Sequence, residues 1–171
     1  TLSATNAYRG ETEINQGTLT LANPTAIPPA SLVRFSVNGS KTGALELAHD
    51  GANETRFNVT IGTGNYGTIL SGSASGGVGI DHVIGDLNLS YVTLTVARAS
   101  NILSGSPAIT AGTLDLSSGS SSTVTLNPTS ADLHIGRAAI FSNTGFAKTL
   151  RLDGSATGNT ITGAVYNSGN T

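Results

Sequence analysis

Residues 6–28 read NAYRGETEINQGTLTLANPTAIP, and this stretch contains the clearest strand pattern of the chain at 17–21, GTLTL. Threonine and leucine alternate there, which places the apolar side chains on one side of an extended backbone and the hydroxyls on the other. The same period of two recurs in short bursts at 45–47, 57–61, 87–89, 92–96, 114–116, 124–126 and 150–152. Clusters of Gly, Asn and Ser separate the bursts, as tight turns between strands require. No window has helical apolar spacing, so the chain is predicted to be all-β.

The composition supports many short strands joined by turns. Gly, Thr, Ser and Asn together make up 80 of the 171 residues, aromatic residues only 5%, and Trp is absent. Alternating strands recur along nearly the whole length, which disordered Gly/Ser-rich chains lack. We therefore expect residues 1–171 to form a single folded domain or a segment of a longer one.

Charge and cysteine content exclude several classes of function. The net charge is −2, so the chain does not have the excess of basic residues that binding to a nucleic-acid backbone requires. No apolar run approaches the roughly 18 residues needed to cross a bilayer, so membrane insertion by this segment is not expected. The absence of Cys excludes thiol nucleophiles, thiolate metal sites and disulfides. The chain begins at Thr1 without a basic or apolar leader, as expected of a processed product or an isolated segment.

The spacing of the strand bursts favours a β-solenoid over a two-sheet sandwich, which normally has a larger aromatic core. Apolar anchors of successive bursts recur at loosely regular intervals; they are Leu19, Leu45, Ile69, Leu94, Leu114, Leu133 and Leu150. A repeat of about 20 to 25 residues with short strands is typical of coils that stack on one another. At about 22 residues a coil, the chain is predicted to make roughly seven to eight coils.

Residues 6–28 also resemble the autotransporter-associated β-strand repeat, or passenger-associated transport repeat. That repeat has the form Asn-x-Tyr-x-Gly-x-Thr-x-Ile-Asn-x-Gly-Thr-Leu-x-Leu, followed by Ala-Leu-Pro or a similar sequence. The matching residues are Asn6, Tyr8, Gly10, Thr12, Ile14, Asn15, Gly17, Thr18, Leu19, Leu21 and Pro28, while Ile27 replaces the usual Leu. Weaker echoes occur at 112–116 and 158–163, and residues 84–96 resemble the spacer between such repeats.

The resemblance implies a right-handed parallel β-helix from a secreted or surface-displayed bacterial protein, in which the helix is a stalk. It implies no catalytic activity. In this repeat the inward side chains would be Ile14, Leu19 and Leu21, and the outward ones Thr12, Thr18 and Thr20. Gly10 and Gly17 are expected at corners that need close backbone approach or a positive φ, with Tyr8 lying over a corner.

Two kinds of titratable side chain are candidates for catalysis or metal binding. A glycan-cleaving enzyme would need carboxylates such as Glu11, Glu13 and Asp50 to converge in a groove, but solvated strand faces are the better interpretation of these acids. The three histidines show no zinc-binding spacing and are expected to be single turn or surface residues; they are His49, His82 and His134. The chain is therefore predicted not to be an enzyme.

Two further patterns point to ligands. Residues 76–81, from Gly76 to Asp81, match one copy of the calcium-binding nonapeptide, yet calcium sites of that kind need consecutive copies, so a turn is expected and calcium binding stays open. Four Thr-x-Thr pairs would suit ice binding if they were stacked on one face; they lie at 18/20, 93/95, 123/125 and 160/162. Uneven spacing is expected to scatter them around the perimeter. No cofactor or metal is predicted.

These observations predict a structural extracellular β-solenoid that acts as a stalk, spacer or fibre subunit. Strand edges at the ends of the solenoid would allow end-to-end self-association. The alternative is an adhesin or binding module that recognises glycans or a host surface. A polysaccharide-active enzyme and an ice-binding protein are further alternatives.

Overall fold

A computed structural model describes residues 1–28, 31–35, 42–50, 58–61, 66–116, 121–139 and 147–166. Within these residues every regular element is a β-strand, as the alternating sequence pattern predicts. The strands are β1 (Thr12–Ile14), β2 (Gly17–Leu21), β3 (Leu32–Phe35), β4 (Thr42–Leu47), β5 (Asn58–Ile61), β6 (Tyr66–Ser71), β7 (Gly77–Val78), β8 (Asp81–Val83), β9 (Leu87–Leu89), β10 (Thr93–Arg98), β11 (Ile102–Ser104), β12 (Ala108–Asp115), β13 (Ser122–Pro128), β14 (Asp132–Ala139), β15 (Lys148–Leu152), β16 (Thr160–Ile161) and β17 (Val165–Tyr166).

Two large parallel sheets contain most of these strands. The six-stranded sheet has the order β2-β4-β6-β10-β13-β15, and the nine-stranded sheet follows β1-β3-β5-β9-β12-β14-β16, with β8 paired to β12 and β17 paired to β14. Strands β7 and β11 form a separate two-stranded sheet. Because the chain passes alternately from one large sheet to the other, and all pairs are parallel, the molecule is the predicted β-solenoid.

The predicted number of coils was too high. Register in the six-stranded sheet pairs Leu19 with Leu45, Leu45 with Ile69 and Ile69 with Val96. Each of these steps is longer than the about 22 residues that the sequence pattern suggested for a coil. The shorter intervals in the sequence arose because Leu114 and Leu133 lie in the nine-stranded sheet. Longer coils mean that the chain makes fewer of them.

The core lies between the two large sheets and consists mainly of stacked aliphatic side chains. Leu45, Ile69 and Val96 follow one another in register, and all three are fully buried. Each coil therefore covers the apolar side chains of the coil before it. In the first coil Ile14 and Leu21 are buried as predicted, and the core extends along the solenoid without interruption through the described coils.

Glycine is required at one corner of the nine-stranded sheet. A Cβ atom added to Gly136 would lie 2.6 Å from the carbonyl oxygen of Gly112 in the preceding coil, and Gly163 is blocked in the same way by Gly136. Gly17 has a φ of +80°, which confirms its predicted corner position. The prediction for Gly10 was wrong, because that residue has open space around it and no positive φ.

Candidate functional site

Two of the three acids that a glycan-cleaving enzyme would need, Glu11 and Asp50, are engaged in contacts at different places on the solenoid. Glu11 forms an ion pair with Arg34, with 3.1 Å between Oε1 and Nη2. Glu13 lies beside Arg34 in the register of β1 and β3 and is exposed. Asp50 follows β4 and binds the loop of the next coil, accepting hydrogen bonds from the Ser73 hydroxyl at 2.6 Å and the Ala74 N–H at 2.9 Å.

This Asp50 contact is a structural link between two coils. The N–H of Ser75 also donates to the carboxylate, at 3.1 Å from Oδ2, and the side chain of Asn101 donates to the carbonyl oxygen of Ser73 from the following coil at 2.6 Å. Hydrogen bonds from the hydroxyls of Ser73 and Ser75 lower the pKa of Asp50 below its ordinary value. The carboxylate therefore caps the turn at 73–76 in its ionised form.

His49 and His82 form a buried pair at this same corner, which corrects the prediction of single turn or surface histidines. Their relative exposures are 2% and 1%, and their ring centroids lie 4.6 Å apart in an edge-on arrangement. Nε2 of His82 contacts the carbonyl oxygen of Gly72 at 2.9 Å, which makes this nitrogen the donor. The other ring nitrogens, both of His49 and Nδ1 of His82, have no hydrogen-bond partner among the described residues.

Burial determines the charge state of this pair. Burial and, to a smaller extent, the nearby charge of His82 lower the pKa of His49 to about 4 against the opposing effect of Asp50. Burial also lowers the pKa of His82, against the opposing effects of the Gly72 carbonyl, Asp81 and Asp50. Both rings are therefore neutral near pH 7. Nothing in the sequence indicated that these two histidines, which lie on different coils, would meet.

His134 lies apart from this pair. It sits on β14, partly exposed, and its Nδ1 is 2.9 Å from the hydroxyl of Thr160 in the next coil. Within the part of the chain that the structure describes, no group of three or more His, Asp or Glu side chains is arranged to hold a metal ion.

The nonapeptide-like segment Gly76–Asp81 forms coil-to-coil contacts. The N–H of Gly77 donates to the carbonyl of Asn101 at 2.9 Å, and the N–H of Gly79 donates to the carbonyl of Ser104 at 2.8 Å. Gly76 and Gly77 have positive φ values, but the segment is not the expected turn, because Gly77–Val78 form β7 and Asp81 begins β8. These bonds place the segment along the edge of the two-stranded sheet.

The Thr-x-Thr pairs are less scattered than expected. The pairs at 18/20, 93/95 and 123/125 all lie on the six-stranded sheet, on β2, β10 and β13, whereas the pair at 160/162 starts on β16. The expectation of scatter around the perimeter was wrong because coil length varies mainly in the corners, not in the strands. The two strands between β2 and β10 interrupt the array, since their outward residues include Glu46 and Tyr66.

The C-terminal end of the solenoid exposes part of the core. Leu152 on β15 is 66% exposed and Val165 on β17 is 55% exposed. A cavity of about 120 Å³ opens there between the two large sheets, lined by Leu126, Pro128, Leu133, Ile135, Leu152, Asp153, Asn159, Thr160 and Ile161. Among the described strands, β15 pairs only with β13, so it is the last strand of the six-stranded sheet there. This end is the best candidate for an assembly surface.

No protein-family model, curated protein or solved structure matches the chain. The described residues contain no helix that is long and apolar enough to cross a membrane. The function of the chain must therefore be inferred from its own residues and their geometry.

Proposed function

We propose that the chain is a structural segment of an extracellular rod, acting as a stalk, spacer or fibre subunit of a bacterial surface protein. The extracellular, bacterial part of this proposal depends on the repeat-like sequence at 6–28. The structural part is supported by a parallel solenoid whose aliphatic core runs from coil to coil. Each strand within the stack pairs with strands above and below it, so load along the axis would be shared by many parallel hydrogen bonds.

The observation that carries the proposal is the exposed apolar surface of the last described coil. Leu152 and Ile161 line a cavity that an additional coil would fill, and β15 beside it is the last described strand of the six-stranded sheet. We assign this surface to the N-terminal coil of a second copy, in which β1 pairs only with β3 among the described strands and the outer edge of β2 carries a single bridge to Leu2. A head-to-tail contact of this kind does not close on itself, so it produces filaments.

Negative-stain electron microscopy across a concentration series tests the assembly. We expect filaments of constant width for the wild-type chain. Leu152→Lys introduces a charge into the apolar end and is expected to leave isolated particles, whereas Thr149→Lys, on the exposed outer face of β15, is the matched control and should still assemble. A strictly monomeric wild-type particle at high concentration would overturn the assembly proposal.

Glycan binding is the second candidate function. It is favoured by two exposed tyrosines, Tyr66 and Tyr91, which the fold brings to neighbouring coils. The two lie far apart in the sequence, which gave no reason to group them.

A further inference from the structure

Tyr66 and Tyr91 lie close together on the surface where the chain enters the six-stranded sheet. Tyr66 is the first residue of β6 and pairs in register with Thr93 of β10, and Tyr91 precedes that residue by two positions. One strand spacing therefore separates Tyr66 from Thr93, and Tyr91 lies at the bend that leads into β10. Tyr66 is 56% exposed and Tyr91 is 55% exposed. The two rings are thus available to a single ligand.

The backbone of Tyr91 is held in an unfavourable conformation. Its φ of +48° makes it the only non-glycine residue with a positive φ among the described residues. Glycine or asparagine is the usual choice at such a position, and a bulky side chain there is an outlier. The neighbouring residues Ser90 and Val92 are both buried, whereas Tyr91 between them is exposed. Strain of this kind clusters at functional sites.

Hydroxyl groups surround the two rings. Thr42, Thr93 and Thr125 occupy the same row as Tyr66 on successive strands, and Thr123 precedes Thr125 by two positions, as Tyr91 precedes Thr93. The row contains no charged side chain among these strands. The first is Arg151, on β15, and its charge is paired with Asp153 at 2.9 Å. Among the described residues of β4, β6, β10 and β13, this row is therefore uncharged, rich in hydroxyls and elongated along the axis.

We propose that Tyr66 and Tyr91 form a platform for an uncharged polysaccharide. The apolar C–H faces of pyranose rings would pack on the two phenol rings, and the threonine hydroxyls would exchange hydrogen bonds with sugar hydroxyls. A neutral row complements a neutral polymer, whereas a polymer of phosphates or uronates would need cationic side chains to pair with its charges. The inference deepens the second candidate function and does not depend on end-to-end assembly.

Affinity electrophoresis in native gels tests the platform. The gels contain dextran, yeast mannan or xyloglucan as uncharged probes, or alginate as a charged one. We expect at least one uncharged polysaccharide to retard the wild-type chain and alginate not to. Tyr66→Ala and Tyr91→Gly should each weaken retardation about tenfold, as the loss of one stacked ring predicts.

Tyr91→Gly also separates binding from folding. Glycine suits a φ of +48°, so this variant should keep or raise the melting temperature while it loses affinity. Leu103→Ala, at an exposed residue of β11 outside the platform, is the matched control and should bind like the wild type.

Three results would overturn the proposal: no retardation in any uncharged gel, equal retardation of the wild type and the Tyr66→Ala/Tyr91→Gly double variant, or retardation by alginate alone. Electron microscopy of the double variant should still show filaments if the structural proposal holds. The two proposals can therefore fail independently.

Discussion

The two ends of the solenoid differ in how the last strand of the six-stranded sheet is covered. At the N-terminal end, the N–H of Leu2 donates to the carbonyl of Thr20 at 2.8 Å, and the N–H of Ala22 donates to the carbonyl of Leu2 at 2.9 Å. At the C-terminal end, β15 has no such covering segment among the described residues, and Leu152 is largely exposed. One end is thus partly closed by its own chain, and the other presents apolar side chains and backbone groups.

A short segment is enough to cover a strand edge. Residues 1–6 contribute one β-bridge, one partly buried leucine and a side-chain hydrogen bond from Asn6 to the carbonyl of Ala26 at 2.9 Å. Parallel strand edges that stay uncovered can pair with further strands. In the proposed head-to-tail contact, residues 1–6 of one copy would therefore have to move aside before its β2 could pair with β15 of the next copy.

The largest effect is expected from a fall in pH, which should lower the free energy of unfolding. The loss originates at the buried His49–His82 pair and not at either end of the solenoid. The folded-state pKa of His49 is lowered from 6.5 to about 4, so the unfolded chain binds more protons between those values. The contribution of the neutral ring to stability is complete above pH 6.5 and is lost as the pH falls towards 4, by up to about 3 kcal/mol. Urea unfolding at a series of pH values measures this loss.

Two histidine variants locate the origin of the acid effect. His49→Gln should flatten the dependence of the unfolding free energy on pH between 6.5 and 4. His134→Gln, on β14 and outside this corner, is the matched control, in which the His49–His82 pair and its acid dependence are kept. If His134→Gln flattened the pH dependence and His49→Gln did not, the buried pair would not be the acid-sensitive element.

The second prediction compares glycine substitutions in an inner coil and in the last described coil. It tests whether the last described coil can shift to make room for a Cβ atom. Gly136→Ala places a Cβ atom 2.6 Å from the carbonyl of Gly112 and should cost about 2 kcal/mol of unfolding free energy, because a coil lies on each side. Gly163→Ala, in the last coil, should cost less, since that coil can shift outward. Gly10→Ala, which meets open space, is the control and should cost under about 0.5 kcal/mol. Thermal unfolding of the three variants ranks their losses of stability. An equal loss at 136 and 163 would mean that the last described coil cannot shift outward.

The smallest effect is expected when one leucine from each end is shortened to alanine and the losses of unfolding free energy are compared. Leu2→Ala should destabilise the fold by about 1.5 kcal/mol, because Leu2 packs against the core. Leu152→Ala should cost under about 0.5 kcal/mol in dilute solution, because its side chain is mostly exposed. Denaturant titration at low protein concentration measures both. Equal costs would mean that the C-terminal end is covered in solution.

Much of the fold could be predicted from local patterns. Alternation in stretches such as 17–21 and 92–96 has a period of two, and this alone assigns strands and their inward side chains. The number of coils could not be obtained in the same way. Leu114 and Leu133 have the same local pattern as Leu94, and only the pairing of strands shows that they belong to the other sheet.

Local alternation thus established an all-β chain with an aliphatic core and a polar Thr-, Ser- and Asn-rich surface, because the direction of a side chain in a strand depends on its immediate neighbours. The His49–His82 pair, the tyrosine platform and the unequal ends arise from register between coils. Register brings together residues from different coils, and it depends on the lengths of corners whose sequences carry no periodic signal. For that reason these features are determined by the tertiary structure and could not be predicted from the sequence.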